Sequence, residues 1–156
     1  MEKAMFDTLM RFLGLFCGGL AAGIALCALL VDRVWVGTGQ FYTQLTQLLI
    51  RALTVPAPAL GVLSLIAISI DTAWLLKRGV GTAFWLGVAA VCLSVTAAAL
   101  TKLGHFPIND RILKWDPANP PTDWATVHAR WSAFHVARTL AAVGSFALLL
   151  LGNVLR

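Results

Sequence analysis

Charge is scarce in this sequence. Asp, Glu, Lys and Arg make up 12% of its 156 residues, about half the ~25% of an ordinary soluble domain. With 59% hydrophobic residues and a mean hydropathy of +0.81, that deficit excludes a soluble globular fold and points to an integral membrane protein. No CxxC pair exists: Cys17, Cys27 and Cys92 all lie inside apolar runs. That removes a thiol–disulfide oxidoreductase and leaves small buried apolar residues. Histidine is missing from the first 104 residues, which excludes haem ligation across two spans. No ionisable residue sits mid-span except Asp71, itself near a span end, a poor basis for a proton-coupled transporter. The net charge of +5 would suggest nucleic acid in a soluble protein. Here the basic residues sit at span ends and in one connection, so membrane topology explains them and no nucleic acid is expected.

Long uncharged runs are what the chain has instead. Phe12–Val31, Ala52–Ile70 (continuing past Asp71 to Leu76), Gly79–Thr101 and Thr139–Leu155 each approach the ~20 residues that cross a bilayer. The first run follows Glu2 and Asp7 and lacks a small-x-small cleavage site, so it reads as a retained span rather than a signal peptide. Gly14, Gly18, Gly19 and Gly23 form overlapping GxxxG spacings in it. Such spacings let helices approach closely, within one subunit or in a homo-oligomer.

Between the first two spans, Gln40, Gln44, Gln47 and Arg51 recur at helical spacing opposite Leu45, Leu48 and Leu49. This predicts an amphipathic helix over 40–51, at the interface or over the bundle mouth. Its polar face meets solvent or lines a cavity, where Gln44 is a candidate substrate contact; Tyr42 anchors the helix. Pro56 and Pro58 open the second span. Lys77 and Arg78 occupy the tight turn KRGVGT, which favours the cytoplasmic side for that turn and for both termini, with Lys3, Arg11 and Arg156. The other connections carry more Lys and Arg in total, several of them in the site-bearing stretch. The connection 102–132 is ordered: the pre-proline rule predicts an extended Phe106–Asn109, Asp110–Lys114 a helical turn, and Thr122 or Asp123 an N-cap.

All three histidines fall in or just after that connection. At about 100° per residue, Trp124, His128, Trp131, His135 and Arg138 share one helical face, within an arc of roughly 80°; Arg130 points away. Imidazole suits proton exchange near neutral pH. An arginine one turn into the membrane needs a partner or a polar cavity. Trp115, Trp124 and Trp131 equally suit interfacial anchoring. Arg130 is placed to bind a headgroup or pair with Asp110 or Asp123. His128 and His135 are two turns apart, about 10 Å, so a transition metal would need His105 and Asp110 or Asp123 as well.

Asn109 with its following short turn, then Arg130-Trp131, His135 and Arg138 in the run RWSAFHVART, resemble the C-terminal signature of the anthrone oxygenase-like family. These are small four-span membrane proteins, many of them a domain of unknown function. The likeness covers the chain in span number, and its specific part is residues 109–139. It implies an oxygenase that converts an anthrone to an anthraquinone with no established cofactor. Such chemistry needs a base, a donor for the enolate oxygen and a flat pocket. His135 or His128 is the candidate base, Arg138 and Asn109 the oxyanion donors, Trp131 and Trp124 the stacking platform. The resemblance supports Asn109, Arg130, Trp131, His135 and Arg138; Trp124, His128 and His105 rest on the shared face.

The sequence thus predicts one all-α transmembrane domain over 1–156, a four-helix bundle with spans near 12–31, 53–76, 79–101 and 133–155. The leading function is oxidation of a small hydrophobic, anthrone- or quinone-like compound by dioxygen, without a cofactor or with metal assistance. The alternative is a non-catalytic membrane subunit or a lipid- or quinone-binding module.

Overall fold

The computed structural model describes residues 2–34 and 37–155, without the side chains of residues 3, 4 and 34. The Lys3 side chain and Arg156, counted among the basic termini, therefore lie outside what is described. Among the described residues six α-helices follow in order: α1 (Glu2–Val34), α2 (Gly39–Leu53), α3 (Pro56–Arg78), α4 (Thr82–Leu100), α5 (Phe106–Ile112) and α6 (Trp124–Val154). A π-turn, Thr101–His105, joins α4 to α5 without a break. Among the described residues four stretches are long and apolar enough to cross a membrane: Met5–Arg33, Pro56–Arg78, Thr82–Ile112 and Trp124–Val154.

Around the bundle, α1 packs on α3 and α6, and α4 packs on α3 and α6. The outside is apolar, with Leu140, Val62, Ile66 and Trp85 all more than half exposed, as a lipid-facing surface should be. The inside is built from small and hydroxylated residues. Gly14 and Gly18 lie against Ile68 and Ser64 of α3, Gly19 lies against Phe146 of α6, and Gly23 touches nothing within 4 Å. Three of the four GxxxG glycines are thus taken up within the chain. Ser64 donates to the Gly14 carbonyl at 3.0 Å, and Ser145 to the Ala90 carbonyl at 2.8 Å. Interhelical bonds of this kind contribute about 0.6 kcal/mol each in a membrane. Of the cysteines only Cys17 is buried; Cys27 and Cys92 are exposed on the outer surface, so the expectation of burial holds for one of three.

Two features at the site-bearing end depart from expectation. The third span does not stop at Thr101, and Phe106–Asn109 is helical, Phe106 having φ −58° and ψ −48°. Inside an α-helix the Pro107 ring would clash with the carbonyl four residues back. The π-turn just upstream changes the register, with the Phe106 N–H bonding the Thr101 carbonyl five residues back. Pro107 then falls in the first turn of α5, where its missing N–H costs nothing. The second departure is in α2. Its buried face is Gly39, Tyr42, Thr43, Thr46 and Ile50, while Leu48 is 66% exposed. The glutamine spacing misleads because Gln47 turns inward: its Nε2 donates to the carbonyls of Ile112 and Trp115, at 2.9 and 3.0 Å. Those carbonyls lie at and just beyond the end of α5, and the Ile112 carbonyl also accepts from the Trp115 N–H at 3.1 Å. Around this tie, Tyr42, Ile50, Ile108, Ile112, Trp115 and Val127 form a small apolar cluster that closes the end of the bundle. Burial pushes the Tyr42 phenol above its ordinary pKa, so it stays protonated.

Asp123 occupies the N-cap position of α6, yet its carboxylate bonds the Arg111 guanidinium at 2.6 Å instead of capping. At the opposite end of the bundle Asp7 pairs with Arg78.

The π-turn passes α6 closely enough to require glycine: a Cβ on Gly104 would lie 2.5 Å from the Phe134 ring. Gly104→Ala should therefore destabilise the protein by about 1–3 kcal/mol, as overpacking does. Gly23→Ala, which meets nothing, should leave the melting temperature in detergent unchanged. Equal melting temperatures for the two variants would contradict the close approach.

Candidate functional site

Helix α6 carries the predicted stripe, and the structure divides it into two groups. The deeper group, Trp131, His135 and Arg138, lines a cavity of about 90 Å³ together with His105 and Asn109. The outer group, Trp124 and His128, does not line it. Trp124 packs on Tyr42, ring centroids 5.7 Å apart, and against Gly39, where a Cβ would meet its indole at 2.8 Å. Arg130 is exposed and lies over the Phe134 ring at 6.0 Å; Asp123, one of its suggested partners, is held by Arg111. Gln44 is exposed and outside the cavity wall.

His135 is fully buried, and both of its ring nitrogens are engaged. Arg138 Nη2 donates to His135 Nδ1 at 2.8 Å, so Nε2 carries the proton and donates to the Ala25 carbonyl of α1 at 3.1 Å. An imidazole bonded in this way has no free lone pair. In this arrangement it supports Arg138, and neither nitrogen is free in the position where the sequence placed a base. Trp131 stacks flat on it, centroids 4.6 Å apart and planes 9° apart. The Trp131 indole N–H in turn bonds Asn109 Oδ1 at 3.0 Å. That leaves the Asn109 amide nitrogen as its remaining donor group. One face of Trp131 is thus occupied by His135, which halves the platform offered for substrate stacking.

His105 meets the requirement that His135 fails. It is 2% exposed, and its Nδ1 lies 3.4 Å from the Leu100 carbonyl, which assigns the proton to Nδ1. Nε2 then carries a lone pair and has no hydrogen-bond partner. Its ring sits edge-on to Trp131 and His135, at 5.4 and 5.6 Å. The Arg138 Nε is likewise buried without a partner. A buried polar atom left unsatisfied is uncommon and calls for an explanation. Here an acceptor at His105 and a donor at Arg138 belong to residues lining the same cavity.

Asp32 belongs to the site and its sequence position concealed it, because a charge at the end of a span reads as a membrane exit. Its carboxylate lines the cavity and joins α1 to α6, accepting from Ser132 Oγ at 2.7 Å and bonding His128 Nε2 at 2.7 Å. His128 therefore lies behind Asp32, on the outer side. The three histidines do not converge as the metal reading required. Among the described residues no three His, Cys, Asp or Glu side chains are grouped to hold an ion, and both His135 nitrogens are already committed.

The sequence profile of the anthrone oxygenase family matches residues 45–148, about two thirds of the chain. The chain belongs to the anthrone oxygenase family. Comparison with curated proteins and with solved structures gave no match. The family match takes in α2 from Leu45, α3, α4, α5 and most of α6. It contains His105, Asn109, Trp131, His135 and Arg138, whereas Asp32 and Ala25 lie on α1 before it. In this member the cavity is thus completed by a helix that the family match does not reach.

The Trp131–Asn109 bond can be measured by a double-mutant cycle. Trp131→Phe and Asn109→Ala should each lower stability, and the pair should be coupled by about 1 kcal/mol, the usual worth of such a bond. Additive effects would mean the two side chains do not interact.

Proposed function

We propose that this protein oxidises an anthrone-like compound, a fused-ring ketone with an acidic CH2 opposite the carbonyl, using dioxygen. The observation that carries this reading is the pair of unpartnered buried atoms on residues of one cavity, His105 Nε2 and Arg138 Nε, in a member of the anthrone oxygenase family. In this mechanism His105 Nε2 takes a proton from the CH2. The charge moves onto the ring ketone oxygen, where Arg138 Nε and the Asn109 amide donate hydrogen bonds. Donors fixed in advance at a developing oxyanion are usually the largest source of rate.

The electron-rich carbon then gives electrons to dioxygen and a C–O bond forms, yielding a hydroperoxide once the proton returns. Loss of the second C–H proton breaks the O–O bond and expels hydroxide, which leaves as water. The balance is CH2 + O2 → C=O + H2O, the carbon oxidised and dioxygen reduced. Asp32 and His128 offer the proton a way from the cavity wall to the surface. In this reading the α3–α4 turn, with Lys77 and Arg78, faces the cytoplasm and the site lies on the other side.

The test is turnover of anthrone by purified protein in nanodiscs. His105→Gln should lower kcat by about 10²–10⁴, the range for a lost general base. Arg138→Gln should lower it by about 10²–10³, as for a lost oxyanion donor. Exposed Arg130→Gln should stay near wild type. If folded His105→Gln protein turned over at the wild-type rate, His105 would not be the base. A wild-type protein that binds the ring compound but does not oxidise it would favour the binding-module alternative.

A further inference from the structure

A second cavity, of about 310 Å³, lies in the bundle beside the first. Ile24, Ala57, Pro58, Thr101, Phe106 and Arg138 line both, so the two spaces share a wall with Arg138 in it. The larger one falls in the size range of small-molecule sites, ~300–1,000 Å³; the smaller does not. Its walls are mainly apolar and small. The hydroxyls on them are used within the protein: Ser64 on the Gly14 carbonyl, and Ser145 on Ser94 and the Ala90 carbonyl. The buried lining atom left without a partner is the Arg138 Nε.

The position of the opening follows from α3 and α4. Near their connecting turn the two helices touch, since a Cβ on Gly87 would lie 2.6 Å from Thr72 Oγ1. Toward the site end they hold the chamber between them. There its lining includes the exposed residues Val62 of α3, Ala98 of α4 and Lys102 of the π-turn. Val62 and Ala98 lie inside membrane-spanning stretches, so the mouth faces lipid, with a lysine at one rim. On the α3 wall a Cβ added to Gly61 would meet nothing within 4 Å.

We infer that the substrate reaches the site sideways from the bilayer, between α3 and α4, and rests an outer ring in this chamber while its central ring lies at the shared wall between Arg138 and His105, and that Gly61 sets the size of ring system admitted. The occupant is a rigid, apolar, fused-ring molecule with a ketone oxygen on its central ring. This matches a chamber of small apolar residues with a single unsatisfied donor. The inference rests on the reading of His105 and Arg138 as the reacting end, but binding can be measured without turnover.

The probe is anthraquinone, which is already oxidised, added to the full-length protein in phosphatidylcholine nanodiscs. Gly61→Phe should bind it about tenfold more weakly, as filling an occupied space should. Gly23→Phe, on the outer surface of α1 and lining neither cavity, should bind as wild type does. Ala98→Trp, placed at the lipid-facing mouth where folding is undemanding, should slow association several-fold and leave the equilibrium affinity nearly unchanged. Wild-type affinity in Gly61→Phe, equal losses in Gly61→Phe and Gly23→Phe, or an unaltered association rate in Ala98→Trp would overturn the inference. Should Gly61→Phe fail to fold, Ala98→Trp decides alone. Gly61-dependent binding in a protein that never oxidises anthrone keeps the chamber and removes the oxygenase reading. Oxidation that is indifferent to both positions does the reverse.

Discussion

A guanidinium inside a bilayer costs about 2.5–3.5 kcal/mol on insertion scales unless something receives it, and this end of the molecule is arranged around receiving Arg138. His135 Nδ1 accepts from it, and the Ala25 carbonyl fixes the His135 ring from the other side. Trp131 lies flat on that ring, Asn109 holds Trp131, and Asn109 is where it is because the π-turn carries the third span on into α5. The His105 ring packs edge-on against both Trp131 and His135 and closes the group. α1 contributes twice, through the Ala25 carbonyl and through Asp32. The first span is therefore part of the site as well as of the bundle.

The same supports leave two polar atoms without partners, on residues lining one small space. His105 Nε2 is an acceptor and Arg138 Nε a donor, both buried. Neither could persist in an apolar interior without cost, and a bound molecule with an acidic hydrogen and a nearby oxygen would satisfy both. In the proposed reading this links stability to function: the protein would hold ready, before any ligand arrives, the hydrogen-bonding groups that an enolate needs. Protein preorganised in this way does not have to rearrange as charge develops.

Much of the architecture was legible in the sequence because hydrophobic length is a strong signal. Four spans, an intervening helix and the shared face of Trp131, His135 and Arg138 follow from run length and helical period. Membership of the family followed from Asn109, Arg130-Trp131, His135 and Arg138. What was not legible depended on contacts between distant segments. His105 acquires its free nitrogen from a π-turn, and the pre-proline rule pointed to extended chain there. Asp32 sits at the end of the first long apolar run, where nothing local shows that Ser132 and His128 will reach it. Gln47 looked like one of a row of solvated glutamines, and only the end of α5 gives it carbonyls to bind. His135 has the sequence position of a base and the surroundings of a support.

The central claim is that the protein directs dioxygen onto a carbon from which it has removed a proton. The most direct measurement is mass analysis of the quinone formed from anthrone by purified protein under 18O2. The account predicts one 18O atom, at the newly made carbonyl, in product that forms in proportion to the protein present. Label drawn from water, or product forming equally fast in empty nanodiscs, would contradict it.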